Sequence, residues 1–118
     1  MWGNEVNFSE LEGKYFQKVY KDGDCVIFEN ENERYELYHE QDCCEDVRIE
    51  DVCGDLSNLE NTEITFAEET TNEGSTDWGT CTWTFYKLGS VKGWVDIRFY
   101  GESNGYYSER ANLYKVEK

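Results

Sequence analysis

Along much of the chain, apolar residues that are mostly β-branched or aromatic recur at every second position, and Gly, Asn and Asp clusters interrupt the runs. A period of two is the pattern of half-buried β-strands separated by turns. Residues 14–20 and 24–29 flank Lys21-Asp22-Gly23, which predicts a hairpin whose Asp and Gly supply the turn geometry. In residues 34–39 the spacing sets Tyr35, Leu37 and His39 on one face against Glu36 and Tyr38, and the first face is the one expected inside. Val47 and Ile49 alternate with Asp46, Arg48 and Glu50 as a further half-exposed strand. A short helix is expected from Asp55 through Leu56 and Leu59, capped by Asp55 with Gly54 just ahead. Residues 63–68, with Ile64 and Phe66, read as a strand that runs into a polar loop at 70–77. The last third predicts a long hairpin. Cys81, Trp83 and Phe85 alternate with Thr82, Thr84 and Tyr86; Leu88-Gly89-Ser90 turns the chain; Val95, Ile97 and Phe99 alternate with Trp94, Asp96, Arg98 and Tyr100. A final strand over 111–116 follows a loop at 101–109.

No internal repeat or linker breaks this pattern, so residues 1–118 are expected to form a single domain. Its class is mainly β (β-rich α+β), an antiparallel sheet curled into a roll or sandwich with one short helix. Composition supports a packed core: four Trp, nine Tyr and six Phe offset a modest aliphatic content, and each buried aromatic removes about 150–250 Å² from water. Disordered acidic chains lack such residues. Proline is absent, which leaves backbone N–H groups for ladders but removes one means of blunting exposed sheet edges. Charge is left to protect them.

Charge is concentrated in the middle of the chain. Residues 22–77 carry 19 acidic groups against Arg34 and Arg48 alone, a net of −17, whereas residues 1–21 are neutral and 78–118 carry +2. That balance disfavours direct contact with nucleic acid or an anionic membrane and favours cations or a basic protein. No apolar run approaches the ~20 residues of a membrane span and the first residues lack signal-peptide character, so the cytoplasm is the expected compartment. Five cysteines without framework spacing are expected to be reduced thiols.

The densest chemical cluster is Tyr38-His39-Glu40-Gln41-Asp42-Cys43-Cys44-Glu45-Asp46, with Cys53 beyond it. His39, Cys43, Cys44 and Cys53 include the ligand types zinc prefers. Against a zinc site stand the lack of a C-x-x-C pair and the adjacency of Cys43 and Cys44, which on a strand point to opposite faces. The plain alternative is a satisfied histidine among small core cysteines. A Cys–His nucleophile is opposed by the surrounding carboxylates, which raise thiol pKa values. Asp42, Glu45 and Asp46, or Glu50, Asp51 and Asp55, offer oxygen ligands for calcium, yet no loop has the EF-hand arrangement. A solvated acidic face is the simpler use of such residues. Trp78, Trp94, Tyr100, Tyr106 and Tyr107 fall on polar faces or loops, where aromatics anchor interfaces or pack into a second layer.

The run 38–45, its continuation through Val47-Arg48-Ile49-Glu50-Asp51-Val52 to Gly54-Asp55-Leu56, and the later Trp83-Thr84-Phe85-Tyr86 and Asp96-Ile97-Arg98-Phe99-Tyr100-Gly101 strands resemble an uncharacterised family of small bacteriophage and prophage proteins. The resemblance implies a phage-borne protein without assigned activity or catalytic residues. Small acidic phage proteins often present carboxylates where nucleic acid presents phosphates, and so occupy the basic groove of a host defence protein. The expected function is therefore a non-enzymatic inhibitor without cofactor, monomeric or a small homo-oligomer. Its acidic face, formed by Glu36, Glu40, Asp42, Glu45, Asp46, Glu50 and Asp51, would bind a basic host nuclease or defence effector. The alternatives are a zinc-binding domain using His39 and the cysteines, or a phage structural or assembly protein.

Overall fold

Two tight turns fix the register of most of the chain. In the computed structural model, which describes residues 3–40, 45–105 and 109–116, Gly23 adopts φ 62° and closes strand β3 (Lys18–Asp22) onto β4 (Cys25–Glu29), pairing Asp22 with Cys25. Val91 and Lys92 close β9 (Thr80–Ser90) onto β10 (Gly93–Ser103), with Ser90 opposite Gly93. The turn expected at Leu88-Gly89-Ser90 thus lies further on. Gly89 stays in the strand because a Cβ there would sit 3.2 Å from the Trp94 ring, so its missing side chain seats that ring.

From these hairpins the remaining strands assemble by antiparallel pairing. One sheet has five strands in the order β1 (Gly3–Val6), β11 (Asn112–Val116), β5 (Arg34–Tyr38), β4, β3. The second has four, in the order β6 (Asp46–Cys53), β10, β9, β8 (Phe66–Ser75). A small ribbon joins β2 (Tyr15–Phe16) to β7 (Thr62–Glu63). The two sheets form a sandwich, as the mainly β pattern implied. The expected helix is a single 3-10 turn at Leu56–Leu59, whose capping residue Asp55 accepts from the Ser57 amide at 2.9 Å. A second 3-10 turn at Phe8–Leu11, together with β1, was not legible in the alternation. Residues 70–75, expected as loop, extend β8: they are exposed on both faces, so burial imposed no apolar alternation to read.

Between the sheets lies one core. Val26, Phe28, Tyr35, Leu37 and Leu113 face Tyr86, Leu88, Val95, Ile97 and Phe99, and Phe8, Leu11, Phe16, Leu59 and Ile64 close its margins. Each such side chain contributes roughly 1.5–3 kcal/mol when removed from water. Tyr86 is the hinge of the packing: its ring lies 4.7 Å from Phe8 and 5.6 Å from Phe99, and its hydroxyl donates to the Ala111 carbonyl at 2.9 Å.

Carboxylates from distant positions blunt the sheet edges. Val19 N–H of β3 donates to Glu60 at 2.9 Å, Ile49 N–H of β6 donates to Asp24 at 3.0 Å, and Ala67 N–H of β8 donates to Glu12 at 3.0 Å. A bulge between Arg98 and Phe99 further breaks the ladder beside β6. Acidic side chains do here what proline does in other sheets.

Candidate binding surface

His39 leaves β5 on the face that already carries Tyr35 and Leu37, and its side chain is only 5% exposed. Its Nδ1 lies 2.9 Å from the Arg110 carbonyl and its Nε2 lies 2.8 Å from Glu45, whose side chain is 1% exposed. A carbonyl oxygen can only accept, so Nδ1 carries a proton, and both ring nitrogens are committed to partners. The histidine is a clasp between the segment preceding β6 and the crossover from β10 to β11.

The described residues of that crossover just before β11 are pinned one after another. Glu109, 8% exposed, accepts hydrogen bonds from Thr80 and Ser103 at 2.5 Å and from Thr82 at 2.8 Å. Burial pushes its carboxyl up, but the three hydroxyls outweigh that and hold it below the ordinary 4.5. Arg110 pairs with Glu69, and Ala111 receives the Tyr86 hydroxyl. Close approach requires glycine: a Cβ on Gly101 would stand 2.2 Å from the Glu109 carbonyl oxygen. No local pattern marks Glu109 in the sequence; its only signal is that Thr80, Thr82 and Ser103 are hydroxyls at inward-facing strand positions, which call for a polar partner.

The seven residues of the expected acidic face do not share one surface. Glu36 lies on the outer side of the five-stranded sheet and pairs with Arg34, Glu40 is exposed beside the clasp, and Glu45 is buried within it. Asp46, Glu50 and Asp51 lie along β6 in the other sheet, where Asp46 pairs with Arg48 and both Glu50 and Asp51 reach Arg98. Asp42 is outside the described residues. Folding separates the group because β5 and β6 belong to opposite layers.

The soft-ligand set is divided in the same way. Cys43 and Cys44 lie outside the described residues. Cys53 ends β6, ~20 Å along an extended strand from the Asp46 end that adjoins the His39 clasp, so these two groups do not meet. Among the described residues no group of three His, Cys, Asp or Glu is placed to hold a metal, the Glu50, Asp51 and Asp55 trio included. Two of the described thiols are set against nucleophilic use: burial and the charge of Glu36 push Cys25 up to about 11, and a hydrogen bond to Asp51 with that residue's charge raises Cys53.

On the outside of the four-stranded sheet a different surface is assembled. Register places Trp83 opposite Tyr100, which lies opposite Arg48; Phe85 opposite Arg98, which lies opposite Asp51; and Lys87 opposite Asp96. The Trp83 and Tyr100 rings are 5.2 Å apart, and the Arg48 guanidinium lies 5.2 Å from the Tyr100 centroid. Phe66 supports Trp94 at 5.1 Å, leaving that indole 60% exposed. Asp46, Glu50, Asp51, Asp96 and Glu102 rim these rings, and Tyr100 donates to Glu102 at 2.9 Å. Trp78 is exposed at the β8–β9 connection, whereas Tyr106 and Tyr107 lie outside the described residues.

Fold and surface define a two-layer antiparallel β-sandwich with an aromatic, acid-rimmed sheet face. The chain belongs to the family described as Domain of unknown function (DUF7448), whose model matches residues 9–113. No curated protein and no solved structure matches it. Among the described residues no helix is long and apolar enough to cross a membrane.

Proposed function

We propose that this chain is a non-enzymatic binding domain that engages a basic protein through the outer face of its four-stranded sheet. The observation that supports this reading is the company of Trp83, Phe85, Trp94 and Tyr100 with Arg48 and Arg98 on one face, inside a rim of carboxylates. Trp, Tyr and Arg are the residue types that carry most binding energy at protein interfaces, and the acidic rim adds steering toward a positively charged partner. The net charge of −15 acts in the same direction. In this proposal the acidic surface is narrowed to Asp46, Glu50 and Asp51, and Glu36 plays no part. The resemblance to phage-borne proteins makes a basic host nuclease or defence effector the first partner class to try.

The test is affinity for a panel of basic nucleic-acid-binding proteins at low and physiological salt. Trp94→Ala with Tyr100→Ala should weaken binding by about tenfold or more. Asp46→Lys with Asp51→Lys should weaken it and flatten its salt dependence, whereas Glu36→Lys on the opposite sheet should not. Binding that ignores the face variants would overturn the reading.

A further inference from the structure

Three of the sheet edges receive a carboxylate cap, but the cap on β8 stops at Ala67. The 3-10 turn at Phe8–Leu11 packs beside the start of that strand, and beyond it residues 70–75 are exposed on both faces. Strand geometry sets which groups face outward. Because Ala67 N–H points away from β9 to Glu12, the amides of Glu69, Thr71, Glu73 and Ser75 point the same way. Among the described residues no hydrogen bond is made by the outward amides of Thr71, Glu73 or Ser75. Such a row is a template for one more strand.

We infer that this edge receives an extended basic segment of a partner protein, which adds to the four-stranded sheet as a fifth strand. The inference rests on the basic-partner reading above and specifies the mode of contact. Charge decides the occupant. Residues 66–79 carry Glu68, Glu69, Glu73 and Asp77 and no Lys or Arg; Arg110 pairs with Glu69 and Lys87 lies opposite Glu68, which leaves Glu73 and Asp77 to attract a lysine- or arginine-bearing strand. A second copy of this chain is disfavoured, since antiparallel β8–β8 pairing about Thr71 sets Glu69 against Glu73 twice. Glu69, Thr71 and Glu73 lie opposite the inward residues Tyr86, Thr84 and Thr82, whereas Thr70 and Asn72 lie opposite Phe85 and Trp83 of the aromatic face. A cavity of about 170 Å³, lined by Glu73, Gly74, Thr80, Cys81, Thr82 and Glu109, opens beside the strand on the inward side. The added strand therefore alternates: basic side chains on the Glu73 side, one of them entering this cavity, and apolar ones extending the aromatic face.

A synthetic peptide alternating lysine and valine is titrated into the isotopically labelled full chain at low salt, followed by amide shifts and hydrogen exchange. Slowed exchange at Thr71, Glu73 and Ser75, with binding weakened about tenfold or more by Glu73→Lys and by Thr71→Pro, supports the inference. Retained protection of Val95 and Ile97 shows that the proline variant is folded, and Glu73→Lys leaves every backbone donor in place. Peptide contacts confined to Trp94, Tyr100 and Arg98 overturn the edge and leave the basic-partner reading standing. If neither the peptide nor the basic protein panel binds, both fall. Concentration-dependent protection of the edge without peptide names a second copy as the occupant and overturns the inference.

Discussion

His39 Nδ1 stands 2.9 Å from the carbonyl oxygen of Arg110, 71 positions away, and so ties the segment before β6 to the crossover that enters β11. Its other nitrogen faces a carboxylate, Glu45, that has almost no access to water. Removing the imidazole withdraws the Nδ1–H donor from the Arg110 carbonyl and a hydrogen-bond partner from a buried acid together. His39→Ala is expected to cost about 2–4 kcal/mol in chemical denaturation, and His39→Gln less, because its carboxamide still donates. A loss under ~0.5 kcal/mol for the alanine variant would show that the clasp is not structural.

Glu109 makes stability depend on acid. Its folded carboxyl sits below 4.5, held there by three hydroxyls against the opposing effect of burial, so the unfolded chain takes up the proton first as pH falls. The contribution is complete above the ordinary carboxylate range and is lost as pH drops through the lowered value. Glu33 shifts the same way, because hydrogen bonds from Lys14 and Lys115 outweigh burial. Glu109→Gln should cost about 1–3 kcal/mol at neutral pH and flatten the decline of stability below pH ~4.5, measured by denaturant midpoints across pH. An unchanged acid slope would remove Glu109 from the account.

The edge caps are separable from the core. Glu12→Ala leaves the Ala67 amide at the edge of β8 without its acceptor, and about 1 kcal/mol of stability should go with it. Amide exchange should quicken at Ala67 and not at Ile97. Asp24→Ala should act likewise on Ile49, and light scattering should show more self-association in either variant. Variants as monodisperse as the parent would mean that these carboxylates do not guard the edges.

Cys53 is exposed, and its neighbourhood disfavours the thiolate. A hydrogen bond at 3.4 Å to Asp51, followed by that residue's charge, raises its pKa and starves it of thiolate. Asp51→Asn should speed alkylation of Cys53 at pH 8 several-fold, read by mass spectrometry, and leave Cys25, held at about 11 chiefly by burial, little changed. Equal rates in both proteins would refute the electrostatic explanation.

Much of the fold was legible because strand alternation is local. Tyr35 and Leu37 had to lie on one face of their strand and Glu36 and Tyr38 on the other, whatever else the chain did, and Asp55 capped its turn from one residue away. Residues 70–75 were not legible, since an exposed edge strand imposes no pattern. The candidate surface was legible only in part. Asp46, Glu50 and Asp51 were singled out, but the rings they surround could as well have been core.

Composition and period-two spacing are properties of the chain, and they suffice to make this an acidic, aromatic-rich antiparallel β domain. The tertiary structure decided which side of β9 is inner, and it chose Thr82, Thr84 and Tyr86 over Trp83 and Phe85. It also decided what the carboxylates do. Glu12 serves Ala67, Glu60 serves Val19 and Glu45 serves His39, and the block of charge that stood out in the chain is dispersed over both layers. Those pairings join residues far apart in sequence, or bridge a loop, and depend on how two sheets pack. No local pattern encodes that.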